Sequence, residues 1–196
     1  HIAYSTLSNS QVSLSVETQS GWDFQTVRSS TSIDYQISVL SDNNNSSHLV
    51  YRDSSDNHLE YAFYSNGWII QNIGSVGQAV STSHTSIWLP NGDLATALIV
   101  NDGNQNNLTM WTWNGTILNT SVIRAENDLL TEIDLDITDD GMIIFTAITS
   151  TGSLSLYEKM WNETLWSGVL LDQPIGINGE FSLDLIGGSS PALMVR

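Results

Sequence analysis

Apolar and polar positions alternate in short runs along the whole chain, and the runs return at a nearly fixed distance. His1-Ile2-Ala3-Tyr4 comes back as His48-Leu49-Val50-Tyr51, Ala95-Thr96-Ala97-Leu98, Ile144-Phe145-Thr146-Ala147 and Ala192-Leu193-Met194-Val195, at offsets of 47, 47, 49 and 48 residues. A second marker keeps step with the first: Ser20-Gly21-Trp22, Asn66-Gly67-Trp68, Asn114-Gly115-Thr116 and Thr164-Leu165-Trp166. Alternation with a period of two marks half-buried strands, and Asn-Gly between two such runs supplies the positive φ angles of a tight hairpin.

In the second repeat the pattern predicts strands over 32–39, 48–51, 59–64 and 68–73. In the third it predicts 86–89, 95–100, 108–113 and 116–123, and in the fourth 130–137, 142–148, 154–160 and 166–171. Helix signals are almost absent. Four short strands per unit of this length predict an all-β chain, a β-propeller of four repeats of four antiparallel strands, alone or within a larger or assembled ring. The repeats run over 1–30 (partial), 31–76, 77–126, 127–174 and 175–196 (partial). The first four residues read as a second strand without its first, and 181–186 as a first strand. The ends are therefore expected to pair with other blades, in a longer parent chain or in neighbouring copies, because open strand edges invite pairing.

The recurring aromatics fit the wedge between adjacent sheets: Tyr4 and Tyr51 share one repeat position, and Trp22, Trp68 and Trp166 another. Trp88, Trp111, Trp113 and Trp161 fall outside that row and are better placed to meet a ligand, although packing is the simpler role for them too.

Composition narrows the function. Twenty-one acidic residues stand against five basic ones, a net charge of −16, and Arg28, Arg52, Arg124, Lys159 and Arg196 are scattered. Nucleic acid and anionic membranes need clustered cations, so neither is expected as a partner. No apolar run reaches the roughly 18 residues of a membrane-spanning helix, and no signal peptide opens the chain, so an upstream segment is expected to have been removed or left out. Cysteine is absent, which excludes disulfides, thiol nucleophiles and cysteine-ligated zinc. Glycan-acceptor sequons stand at Asn44, Asn45, Asn107, Asn114, Asn119 and Asn162. With the Ser/Thr/Asn-rich make-up they point to an extracellular or cell-surface glycoprotein.

Ser47-His48-Leu49-Val50-Tyr51, Leu59-Glu60-Tyr61-Ala62 and Asn66-Gly67-Trp68 together resemble the repeats of secreted bacterial and archaeal β-propeller proteins. The resemblance spans the chain. It implies a recognition or scaffold module of a surface protein, and is specific for architecture rather than activity. Sialidase-type propellers look like the nearest enzymatic relatives, but their Ser-x-Asp-x-Gly-x-x-Trp box does not appear in any repeat.

Candidate chemistry is sparse. His1 and His48 share a repeat position and read as structural; His48 and His58 flank one hairpin and could approach each other. No Gly-x-Ser-x-Gly elbow supports a serine nucleophile. The best metal candidate lies in Asp134-Leu135-Asp136-Ile137-Thr138-Asp139-Asp140-Gly141, where Asp136, Asp139 and Asp140 would offer oxygen ligands to calcium, the one cofactor the sequence suggests. The same residues also make an ordinary hairpin turn.

Strand order places Asn44, Asn45, Asn114 and Asn162 in turns at one end of the sheets, and Asp53, Asp56, Asp102, Glu126, Asp128 and Asp172 at the other. The acidic end is the expected docking face, with Asp53, Asp56, Asp102 and Asp128 as ligand-binding candidates. The function read from this is a non-enzymatic module binding glycan or protein. The competing reading is a glycan hydrolase or lyase with its site in a central depression, which would need carboxylates converging in one pocket.

Overall fold

The computed structural model describes residues 2–6, 11–29, 33–55, 57–76, 83–101, 106–126, 130–149, 153–172, 181–186 and 190–195. Every regular element among them is a strand, each paired antiparallel with a neighbour in sequence. Two compact units emerge, His1–Thr82 and Ser83–Arg196.

The first unit holds two sheets. Strands β1 (Ile2–Thr6), β2 (Gln11–Thr18) and β3 (Gly21–Ser29) make sheet one; β4 (Ile33–Ser41), β5 (Ser47–Asp53), β6 (His58–Tyr64) and β7 (Trp68–Ser75) make sheet two. The second unit begins with β8 (His84–Trp88), β9 (Leu94–Asn101), β10 (Asn106–Trp113) and β11 (Leu118–Glu126), which form sheet three. Sheet four contains β12 (Leu130–Ile137), β13 (Met142–Thr149), β14 (Leu154–Met160) and β15 (Ser167–Asp172), and β16 (Phe181–Ile186) pairs with β17 (Ser190–Val195).

These strands match the predicted runs, with shifts where turn chemistry intervenes. Asn66 and Gly67 adopt φ values of 57° and 145° and close the β6–β7 hairpin through the bond from Ser65 N to Gly67 O at 2.8 Å. After Asn114-Gly115 the strand resumes at Leu118 rather than at 116. The Asn114 side chain accepts from the amides of Thr116 and Ile117 at 3.1 and 2.9 Å, which holds both in the turn.

A register slip recurs on the β2–β3, β6–β7, β10–β11 and β14–β15 ladders, between Val12 and Ser13, Leu59 and Glu60, Leu108 and Thr109, and Leu154 and Ser155. In each case one residue of the outer strand is skipped: Val27, Ile73, Ile123 or Leu171. Such a bulge bends and twists the strand. Here it also turns Val27 and Ile73 inward, where both are buried.

Within each unit the sheets meet in the same way. The face of sheet two carrying Leu49, Tyr51, Ala62, Trp68 and Ile70 (its front) packs on the face of sheet one carrying Val12, Leu14, Val16 and Val27 (its back). In the second unit Phe145, Ala147, Tyr157 and Trp166, from the front of sheet four, pack on Leu108, Met110 and Ile123, from the back of sheet three. An arginine on the bulged strand adds a clasp to each contact. Arg28 donates to Glu60 and Asp53 at 2.5 and 3.0 Å, and Arg124 to the Tyr157 hydroxyl at 2.5 Å. Trp68 and Trp166 thus fill the space between sheets as expected. Trp22 does not: it is 48% exposed, because its face of sheet one meets no second sheet within the unit.

Candidate functional site

The turn between the last two strands varies in length from repeat to repeat, and a cavity opens at the longest of the four described. Three residues join β6 to β7, but six, Trp161 to Trp166, join β14 to β15. The longer turn and the back of sheet three together line an open cavity of about 270 Å³. Insertions into a repeat array emerge as loops on one face, which is where such proteins commonly bind.

Leu89 and Met110 form the apolar part of the lining. Sheet three contributes Asn91 and Asp93 from the β8–β9 turn and Asn119, Thr120 and Ser121 from β11. The inserted turn contributes Trp161, Glu163 and Thr164, and Lys159 stands at the end of β14. Asn91 donates to the Asp93 carboxylate at 2.9 Å and accepts from the Asp93 amide at 3.1 Å, so the pair is locked before any ligand arrives. Lys159 donates to the Glu163 carbonyl at 3.0 Å and stands 5.1 Å from the centre of the Trp166 ring. Burial lowers the pKa of its ammonium, and Glu163 opposes that shift.

Trp161 owes its position to a glycine. Its amide donates to Gly141 O at 3.0 Å, and its indole lies so close to Gly141 that a Cβ there would stand 2.6 Å from Trp161 Cδ1. Gly141 also has φ +89°, a conformation that favours glycine. An aromatic ring, fixed polar groups and a small apolar floor are the ordinary parts of a small-molecule site, here near the lower end of the usual range of about 300–1,000 Å³.

Asp53, the one acidic ligand candidate among the described residues, does not line this cavity. Asp53 is fully buried; its carboxylate takes Arg28 on one oxygen and the Ser55 amide and hydroxyl, at 3.0 and 2.6 Å, on the other. Asp56, Asp102 and Asp128 lie outside the described residues. Two of the three calcium candidates are engaged locally. Asp136 accepts from the Ile137 amide at 2.8 Å, Asp140 accepts from the Thr138 hydroxyl, and the Gly141 amide closes the turn on Thr138 O at 2.9 Å. Among the described residues no three His, Cys, Asp or Glu side chains are arranged to hold a metal ion.

His48 and His58 stand at opposite ends of the β5–β6 ladder, opposite Phe63 and Asp53, so the hairpin keeps them apart. His48 instead joins Asp42 to Tyr61, with Nδ1 2.5 Å from the Tyr61 hydroxyl and Nε2 3.5 Å from Asp42. Asp42 also accepts from the amides of Asn44 and Ser46 at 2.9 and 2.7 Å, which makes this trio the pin of the β4–β5 turn.

The sequons divide by position. Asn44, Asn45, Asn114 and Asn162 sit exposed in turns, Asn107 is half-buried in β10, and Asn119 is exposed on β11 in the cavity wall. Trp161 stood out in the sequence as an aromatic outside the repeating row. Asn91, Asp93, Lys159 and Glu163 did not, and the signal for them was the lengthened turn, where Thr164-Leu165-Trp166 departs from Asn-Gly-Trp.

No protein-family model matches the sequence, and no curated protein matches it. Among solved structures the fold is similar to an exo-β-1,3-galactanase from Phanerochaete chrysosporium, determined with β-1,3-galactotriose. The TM-score is 0.51 at 12% identity, over 87% of this chain and 49% of the enzyme, so the chain spans about half of that enzyme's length. A fucose lectin from Kordia zhangzhouensis, in complex with methyl-fucoside, aligns at a TM-score of 0.47 and 13% identity over 70% of this chain and 99% of the lectin.

Proposed function

We propose that the sheets are blades of a β-propeller and that the chain is an extracellular or cell-surface recognition module, binding a neutral glycan in the cleft between sheets three and four. The observation that carries this reading is the cavity beside Trp161, where an indole adjoins the cross-bonded Asn91–Asp93 pair and the hydroxyl-rich β11 wall. Sugars present a polar rim of hydroxyls and an apolar ring face, and this lining offers a counterpart to each. The protein's charge of −16 favours neutral over anionic sugars. Exposed sequons support residence outside the cell, and the repeated front-to-back contact of the sheets supports the propeller.

Titration calorimetry with neutral oligosaccharides, β-1,3-galactotriose among them, tests the binding. Trp161→Ala should weaken it about tenfold or more, a loss of about 1.4 kcal/mol. Equal affinity in the variant would place the ligand elsewhere.

A second reading has one observation in its favour: Asp93 and Glu163 bring a carboxylate from each sheet to the same cavity. Glycoside hydrolysis uses such a pair. Release of galactose from the same oligosaccharides, abolished by Glu163→Gln or Asp93→Asn, would make the module an enzyme.

A further inference from the structure

Four Asn-Gly pairs occur in the chain, at Asn66, Asn91, Asn114 and Asn178. Such a pair can react with itself, because glycine has no side chain to shield its amide nitrogen from the neighbouring carboxamide. The glycine nitrogen gives up its proton to solvent and bonds to the asparagine Cγ. The Cγ–Nδ2 bond breaks, the departing nitrogen takes a proton and leaves as ammonia, and a five-membered succinimide remains. Water then opens the ring at either carbonyl, giving aspartate or isoaspartate with no further reactant. The first step needs a carboxamide free to turn and a glycine amide without an acceptor, so hydrogen bonds to either group oppose it. Asn178 lies outside the described residues, and the other three pairs differ in these bonds.

At Asn91 both groups are engaged. The side chain donates to the Asp93 carboxylate at 2.9 Å and accepts from the Asp93 amide at 3.1 Å, while the Gly92 amide donates to Leu89 O at 2.9 Å. At Asn114 the side-chain oxygen is fixed by the Thr116 and Ile117 amides at 3.1 and 2.9 Å. At Asn66 the side chain is exposed, and neither it nor the Gly67 amide bonds to any described residue. We propose that Asn66 is a site of spontaneous modification, converted through a succinimide to isoaspartate ahead of Asn91 and Asn114, and that the conversion loosens the contact between sheets one and two. An isoaspartyl link runs the main chain through the side-chain carbon. It adds a methylene to the three-residue connection that sets Tyr64 opposite Trp68. Trp68 stands edge-on to Tyr64, with ring centres 5.6 Å apart, and packs on the cluster of Val12, Leu14 and Val27. The change therefore falls at the strand end that carries the tryptophan between the sheets.

Incubating the folded, unglycosylated 196-residue chain in warm, mildly alkaline buffer tests this, with chymotryptic peptides read by mass spectrometry for amide replaced by acid. Breaking hydrogen bonds of ordinary net strength beforehand slows a reaction about tenfold or more, so Asn66 should be lost about tenfold faster than Asn91 or Asn114. In the urea-unfolded chain the three should be lost at similar rates, since only the fold separates them. Asn66→Gly, which suits the φ of 57° there, should remove the early conversion from the folded chain. Urea unfolding of the aged chain should show a fraction with a lower midpoint. That fraction should grow in step with isoaspartate at position 66 and be absent from aged Asn66→Gly. Asn66 outlasting Asn91 or Asn114 in the folded chain would overturn the proposal, as would three rates in the same order and spacing with and without urea. So would an aged chain rich in isoaspartate at position 66 that unfolds at the parent's midpoint.

Discussion

Arg28 reaches from β3 to Glu60 on β6 at 2.5 Å, and its second terminal nitrogen holds Asp53 at 3.0 Å, so one guanidinium joins two sheets. Asp53 is fully buried, the Glu60 side chain is 6% exposed, and Arg28 is 30% exposed. Removing the arginine takes a bound cation from two buried carboxylates. Arg28→Met should therefore cost about 3–5 kcal/mol in urea unfolding. Adding Asp53→Asn and Glu60→Gln should recover most of that loss. A single variant indistinguishable from the parent would mean that the clasp carries no weight.

The trio Asp42–His48–Tyr61 gives stability a dependence on pH at both extremes. Hydrogen bonds from the Ser46 and Asn44 amides and from His48 hold the Asp42 carboxyl below its ordinary value of 3.8, the Ser46 amide contributing most. A depressed carboxylate stabilises the fold fully above 3.8, and the contribution disappears as pH falls through the lower folded value. Burial, with Asp42 adding to it, pushes the Tyr61 phenol up to about 12 from 10.0. That contribution is intact below pH 10 and is lost as pH rises towards 12. Thermal melts should place Asp42→Asn below the parent at pH 6 and level with it at pH 2. Tyr61→Phe should gain on the parent between pH 10 and 12.

Gly141 and Gly115 make a controlled comparison. Both have positive φ, +89° and +95°, but a Cβ at Gly115 meets nothing within 4 Å, whereas at Gly141 it meets the Trp161 ring at 2.6 Å. Gly115→Ala should lose about 1–2 kcal/mol, the cost of left-handed backbone. Gly141→Ala should lose more, about 3 kcal/mol, since it must also displace the indole. Only the second should weaken oligosaccharide binding. Denaturant curves and calorimetry on the two proteins separate these effects.

Asn119 sets the glycan reading against itself. The sequon Asn119-Thr120-Ser121 lines the cleft with all three residues, so a sugar attached to Asn119 would occupy the space meant for a ligand. Protein exported from a glycosylating host should either carry no sugar at Asn119 or lose oligosaccharide binding in the modified fraction. Glycopeptide mapping of bound and unbound fractions distinguishes the two. Equal occupancy of Asn119 in both fractions would move the ligand out of this cleft.

The strand sequence was legible because one short apolar run returns five times, as His48-Leu49-Val50-Tyr51 and Ile144-Phe145-Thr146-Ala147 illustrate; in the structure both runs are buried at consecutive positions, on both faces of their sheets. The bulges were not, since a skipped Val27 or Ile73 leaves the local alternation looking almost continuous and appears only when two strands are set side by side. Asp53 read as a surface acid from its place at a turn. Its partner, Arg28, comes from another sheet 25 residues earlier, a pairing that no local pattern contains. The cleft was half legible: Trp161 stood out, but its neighbours depend on a turn that leaves the repeat and on the back of a different sheet.

The skipped residue shared by β3, β7, β11 and β15 bears on how a chain of this kind grows. Because the slip falls at the same row each time, the twist it imparts is set inside each unit and needs nothing from its neighbours. Duplicating a stretch of about 48 residues then adds a complete sheet already shaped to receive the next, without redesign of any connection. Natural variation in such chains is accordingly expected in whole-unit steps, with the individual character of each copy confined to its turns, as the six residues from Trp161 to Trp166 illustrate.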